Sequence, residues 1–251
     1  MEKKQMFRTA LLLAAVFVLC FGFQMQRVHA AGVSTNEKAV VTSKKYSDHY
    51  RRPGAKVDAS YSYRLLQLKG NTKAVKKINA ELKKDYRNSL KVKKQVFAYA
   101  KEAGDYYAQT YYETVSAKAV YNKNGYLSIL FHESNFAGGP HGYLHGYAMT
   151  FDLKTGKRLV VADVVEGGQK EVKNKIAKKC LDQMRAGGYF GSDIWADPEK
   201  AAKDFLDQTP VSKYNFYLKN GRVVVFFNQY DLGMSYAAGI APHVVLKGDY
   251  E

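Results

Sequence analysis

Asn124-Gly125 followed by Tyr126-Leu127-Ser128-Ile129-Leu130-Phe131, and Asn220-Gly221 between Tyr214–Leu218 and Val223–Phe227, decide the fold. Each Asn-Gly pair is a strong tight-turn signal, because both residues tolerate the positive φ that a two-residue hairpin requires. In the first stretch Leu127, Ile129 and Phe131 fall on one side, the period of a strand. Upstream, Tyr106–Tyr121 is aromatic and β-branched. Downstream, Gly138-Gly139-Pro140-His141-Gly142 breaks the strand. Another strand runs from about His145 to Leu153, and Thr155-Gly156 turns the chain into Arg158–Val161. Tyr230–Gly239 reads as a loop and His243–Leu246 as a last strand.

Helices separate these groups. Val75, Ile78, Leu82, Tyr86 and Leu90 recur at steps of three and four, one face of a helix. Thr72 is placed to cap it. Between Lys73 and Lys94 the basic residues Lys73, Lys76, Lys77, Lys83, Lys84, Arg87, Lys91, Lys93 and Lys94 face only Glu81 and Asp85 in number. Val172, Ile176, Cys180, Leu181 and Met184 mark a second amphipathic helix, stopped at Gly187-Gly188. A short third helix starts at Asp197-Pro198, with Asp as cap and Pro in the first turn, and ends by Pro210. Val57, Ala59, Tyr61, Tyr63 and Leu65 alternate as a half-buried first strand. Antiparallel hairpins packed with amphipathic helices, without regular strand–helix alternation, define an α+β fold.

The N-terminus bears on compartment. Lys3, Lys4 and Arg8 precede an apolar run from Ala10 to Phe23, followed by Val28-His29-Ala30. This is the layout of a cleavable secretory signal over residues 1–30, with an uncleaved anchor as the alternative. Met1–Thr9 would be too short for a cytoplasmic domain ahead of that run. Residues 31–55 are polar, end in Arg51-Arg52-Pro53-Gly54, and read as a linker. What remains suits one large domain or two small, intimately packed ones. Cleavage would remove Cys20 and leave Cys180 alone, so no intramolecular disulfide is expected and packing must supply stability. Cys180 lies on an apolar helix face and reads as a buried structural thiol.

The chain carries a net charge of +16; Lys3, Lys4, Arg8 and Arg27 against Glu2 account for three of these, which leaves +13 for residues 31–251. Behind a secretory signal, such a balance points to anionic wall polymers, phospholipid headgroups or acidic proteins rather than nucleic acid, or serves solubility alone. The Lys-rich helix is the best anion-binding candidate, through Lys76, Lys83, Lys84 and Arg87; a solvated helix face carries such charge too. The 20 Tyr, clustered at Tyr106-Tyr107, Tyr111-Tyr112, Tyr143 and Tyr147, suit stacking on sugars or protein interfaces, and half-buried strands favour Tyr as well.

Catalytic signals are weaker. His141 and His145 beside Asp152 invite comparison with the metal ligands of polysaccharide deacetylases. Yet the acidic residue follows the pair, Leu153 stands where a second Asp belongs, and His141 lies in a Gly/Pro turn. A tight glycine turn with histidine hydrogen bonds is the preferred reading. His132 and Glu133 are adjacent on a strand and point to opposite faces. No nucleophile elbow or phosphate-binding glycine loop is present. No catalytic residue, metal or cofactor is expected.

Ser134-Asn135-Phe136-Ala137-Gly138-Gly139-Pro140-His141-Gly142 with Phe151-Asp152-Leu153-Lys154-Thr155-Gly156-Lys157, and Tyr214-Asn215-Phe216-Tyr217-Leu218 with Val224–Leu232 and Tyr236-Ala237-Ala238-Gly239, resemble the extracytoplasmic domain of RsiV-type anti-sigma factors. That domain also stands beside the catalytic domain of some peptidoglycan deacetylases, and a secreted mycobacterial immunogen has a related arrangement. The resemblance spans about residues 57–248. It implies an α+β fold in two parts, 57–153 and 154–251, and a binding rather than catalytic role. In the anti-sigma factor the domain is a lysozyme receptor; in the deacetylases it is an accessory module. The expectation is therefore a secreted, bacterial, non-catalytic cell-envelope binding module. Its partner would be anionic wall polymer or peptidoglycan, or alternatively a secreted protein such as lysozyme, with an unrecognised wall-modifying enzyme as the third option. No nucleic acid and no stable membrane span are expected. Candidate binding residues are Lys76, Lys83, Lys84 and Arg87 on the helix, Gly138, Gly139, His141, Gly142 and Tyr143 at the glycine turn, and Tyr230.

Overall fold

The computed structural model describes residues 38–52, 58–103, 110–187, 197–233 and 242–250. Residues 1–37, including the expected signal segment, lie outside these, as do Pro53-Gly54, Tyr106-Tyr107 and Tyr236–Gly239.

Five strands form the larger sheet in the order β1-β2-β3-β4-β5: β1 Val41–Tyr50, β2 Ala59–Leu68, β3 Tyr111–Lys123, β4 Tyr126–Phe136 and β5 Tyr143–Asp152. All neighbours are antiparallel except β2 and β3, which run parallel. A parallel pair needs a long crossover, and helix α1 (Lys73–Ala103) supplies it. Thr72 Oγ1 accepts the Val75 N–H at 3.2 Å, as a helix cap does. Ile78 and Leu82 of α1 pack on Tyr61, Tyr63, Leu65, Leu127, Ile129 and Phe131. The helix extends well past Lys94, because Val96 and Ala100 continue its buried face against Ala59, Tyr111 and Phe136.

The second part holds α2 (Gln169–Ala186), α3 (Pro198–Gln208) and an antiparallel sheet of β6 (Asn215–Lys219), β7 (Arg222–Phe226) and β8 (His243–Lys247). Asp197 caps α3, accepting the Lys200 N–H at 2.8 Å. Both Asn-Gly turns have positive φ at both residues, as their hairpins require. Val172, Ile176, Cys180 and Met184 meet Phe216, Leu218, Val223 and Val225 in a second core. Buried hydroxyls join this core to the larger sheet. Ser128 Oγ and Thr150 Oγ1 lie 2.8 Å apart, and Ser128 accepts the Leu218 N–H at 3.1 Å. The result is the expected α+β fold.

One segment departs from expectation. The polar stretch read as a linker contains β1, which pairs with β2 along its full ten residues. Its apolar content is only Val41, Tyr46 and Tyr50 among exposed neighbours. The strand is therefore held by the edge that β2 offers and by a few side-chain anchors, not by a periodic apolar face. Tyr46 stacks on Tyr86 at 4.6 Å, and Asp48 pairs with Lys93. Among the described residues no helix is long and apolar enough to cross a membrane.

Candidate binding surface

Strand pairing gathers a polar row on the α1 side of the larger sheet. Glu113 opposes Asn135, which opposes Tyr143; one row on, Glu133 opposes His145; then Phe131 opposes Tyr147. Directly paired residues share a face, so Tyr143, His145 and Tyr147 form a ladder of rings, 5.8 and 5.7 Å apart, beside Phe131 stacked on Tyr147 at 4.6 Å. His145 Nδ1 stands 3.5 Å from Glu133. His132 falls on the opposite face, as adjacency on a strand requires.

At its inner end the row reaches α1. Tyr63 and Tyr147 both donate to Asp85, at 2.6 and 2.7 Å. Burial raises this carboxyl above its ordinary value, against the two hydrogen bonds. Glu113 is only 1 % exposed. It accepts from Asn135 at 3.0 Å and from Ser89 at 3.3 Å, and burial pushes its carboxyl up to about 7. Both acids are enclosed and engaged by neighbours, which suits a structural network more than contact with a substrate.

The glycine turn closes the outer end of the row. A Cβ on Gly142 would stand 2.9 Å from Tyr112 Oη and 3.0 Å from Asn135 O, and Gly138 has φ +96 with Tyr111 Oη at 3.3 Å from a built Cβ. The turn needs glycine because it lies directly on Tyr111 and Tyr112. Gly138 and Gly139 also border a shallow depression of about 370 Å³ with Tyr99, Glu102 and Tyr111. His141 donates from Nδ1 to Gly142 O at 2.9 Å, and Tyr230 Oη meets His141 Nε2 at 3.4 Å.

Tyr230 arrives on the segment after β7. Asn228 and Gln229 accept the Gly146 and Leu144 N–H groups through their side-chain oxygens, at 2.6 and 3.4 Å. Asp231 accepts the Asn228 N–H at 2.7 Å, and burial raises its carboxyl while nearby His145 lowers it. Tyr143 and Tyr230 remain 40 and 49 % exposed at this corner, and Leu144, 54 % exposed, points from the opposite face of β5.

The expected residues thus fall in two groups. His141, Gly142, Tyr143 and Tyr230 come together at the outer end of β5, with Gly138 and Gly139 behind them. Lys76, Lys83, Lys84 and Arg87 are all exposed on α1. The ladder Tyr143–His145–Tyr147 and its bond to Asp85, next in sequence to Lys84, connects the two. Sequence reasoning did not single out Asp85, Glu113, Asn228 and Asp231, and it set Glu133 aside for pointing away from His132. A charged residue at an inward position of a strand was the available signal for Glu113.

The α+β fold is built on two sheets, and a stretch of the chain around each is similar to a known family. Residues 55–143 match the family model described as Deacetylase PdaC, and residues 162–245 match that described as protein of unknown function DUF3298. Two solved structures share the fold. A DUF3298 family protein from Pseudomonas aeruginosa PAO1 is 16 % identical with a TM-score of 0.52, over 84 % of this chain and 91 % of its own. A member of the same family from Bacteroides fragilis NCTC 9343 is 14 % identical with a TM-score of 0.55, over 85 % and 91 %. None of the curated proteins matches the chain.

Proposed function

We propose that this protein is a secreted, non-catalytic module of the cell envelope that holds an anionic wall polymer against the outer face of α1. The observation that carries this reading is a face of unneutralised charge. Lys73, Lys76, Lys77, Lys83, Lys84, Arg87, Lys91 and Lys94 are all exposed. Among the described residues Lys93 is the α1 cation with an ion pair, to Asp48. Cations placed along a rigid helix attract a linear polyanion at long range and hold it in a salt-dependent way. The similarity of residues 55–143 to the family model described as Deacetylase PdaC and the signal-like N-terminus support the compartment.

The test is co-sedimentation of the protein with purified cell walls. Wild type pellets at low salt and is released at high salt. Changing Lys76, Lys83 and Lys84 to Glu removes pelleting, and unchanged pelleting of that variant overturns the reading. No product is released from peptidoglycan in the same incubation.

The exposed Tyr143 and Tyr230 favour a second reading, in which a folded protein docks there. Lysozyme is the partner implied by the resemblance to the RsiV-type receptor domain. A complex that survives high salt and is lost in Y143A/Y230A would support it over the wall polymer.

A further inference from the structure

The smaller sheet carries a row of charge that its own chain does not balance. In the register of β6, β7 and β8, Lys219 is paired directly with Arg222, and Arg222 directly with Lys247. All three are exposed. Like charges directly opposite on neighbouring strands repel and destabilise a sheet. Acidic residues are not scarce nearby. The helices of this same part pair their cations repeatedly: Lys175 with Glu171, Lys178 with Asp182, Arg185 with Glu199, and Lys200 with Asp204. Among the described residues none of Lys219, Arg222 and Lys247 has such a partner.

A second observation places a cavity at this row. Arg222 and Lys247 line a depression of about 380 Å³ with Lys179, the Asn220-Gly221 turn and Val245-Leu246. Lys179 reaches it from α2, its ammonium fixed by a 3.0 Å hydrogen bond to Val245 O. Three cations from three elements therefore line one depression, Arg222 and Lys247 from one face of the sheet and Lys179 at its β8 edge. A guanidinium offers parallel donors that match phosphate oxygens, and ammonium groups add point charge.

We propose that this notch is a binding site for a phosphoryl group, with Arg222 as the directing donor and Lys179 and Lys247 completing the charge, and Lys219 strengthening the field from the adjoining strand. Three cations lining one depression suit a group with more than one negative charge, or successive groups of a phosphodiester chain, better than a single carboxylate. The notch lies on β7, β8 and α2 and does not depend on the α1 face.

The test titrates the full-length protein calorimetrically with inorganic phosphate, and separately with a short poly(glycerol phosphate), at constant ionic strength. Wild type binds inorganic phosphate saturably. R222Q/K247Q weakens it at least tenfold, while K76Q/K83Q/K84Q leaves it unchanged. In the K76Q/K83Q/K84Q background, where the α1 face no longer holds a polyanion, tighter binding of the oligomer that is lost on adding R222Q/K247Q identifies a polymer as the source; equal binding of the two ligands identifies a single phosphate. The unfolding midpoint of R222Q/K247Q, expected at or above wild type because repulsion is relieved, shows that the variant is folded. No saturable phosphate binding by wild type, or the same affinity in R222Q/K247Q, overturns the site. Loss of wall pelleting in the α1 variant with phosphate binding intact separates this proposal from the one above.

Discussion

Replacing Glu113 with Gln tests the buried polar row through its pH dependence. The Glu113 carboxyl is enclosed between Asn135 and Ser89 and its titration is pushed from an ordinary 4.5 up to about 7, chiefly by burial. A carboxyl raised in this way contributes stability that is present below its unfolded value and is lost as pH rises through about 7. At about 1.4 kcal/mol for each tenfold in the proton equilibrium, the full cost of burying the charge is about 3 kcal/mol. Most of it, about 2–3 kcal/mol, develops between pH 5 and pH 8. Gln keeps the shape, accepts the Asn135 amide and donates to Ser89, whose hydroxyl also reaches Tyr61 at 3.3 Å. It has no charge to bury. Urea unfolding at the two pH values should therefore show E113Q gaining on wild type by about 2–3 kcal/mol from pH 5 to pH 8. Parallel pH profiles for the two proteins would refute the claim that the row holds a carboxyl out of its ordinary range.

Three further outcomes follow from the packing. Gly156 has φ +71, and a Cβ there would stand 2.6 Å from Ala74 O; G156A should lose about 2 kcal/mol or more in urea unfolding, since neither backbone can yield cheaply. Ile176 is fully buried in the second core, and I176A should cost about 2–5 kcal/mol by the same measurement. Burial pushes the Cys180 thiol up to about 12, so mass spectrometry should find residue 180 unmodified by iodoacetamide at pH 8 in the native state and labelled only in denaturant.

The hairpins were legible because Asn-Gly permits one kind of turn and the apolar positions on either side keep a period of two. The helices were legible for the same reason at a period near 3.6, and Asp197-Pro198 marked a start that the structure keeps. Strand β1 was not, since seven of its ten residues face solvent and its pairing is decided by β2, not by its own composition. The parallel alignment of β2 with β3 was hidden for a related reason: nothing in either strand records which neighbour α1 will bring to it. At the candidate surface, the glycine turn and Tyr230 could be singled out, but their meeting through His141 spans 89 positions. The carboxylates were harder still. Asp85 looks like one charge on a charged helix, and only Tyr63 and Tyr147, arriving from two strands, show that it points inward.

The two margins of the larger sheet are finished differently. Along β5, the Leu144 and Gly146 N–H groups are occupied by Gln229 and Asn228, the Ala148 carbonyl by Arg158, and the Thr150 carbonyl by the Leu159 N–H. β1 pairs with β2 on one side, and among the described residues no strand pairs with its other. Enlargement of this sheet by another strand can therefore proceed in one direction only. Two copies joined back to back along β1 would present a blocked margin at each end, so such pairing stops at two and cannot propagate into a filament.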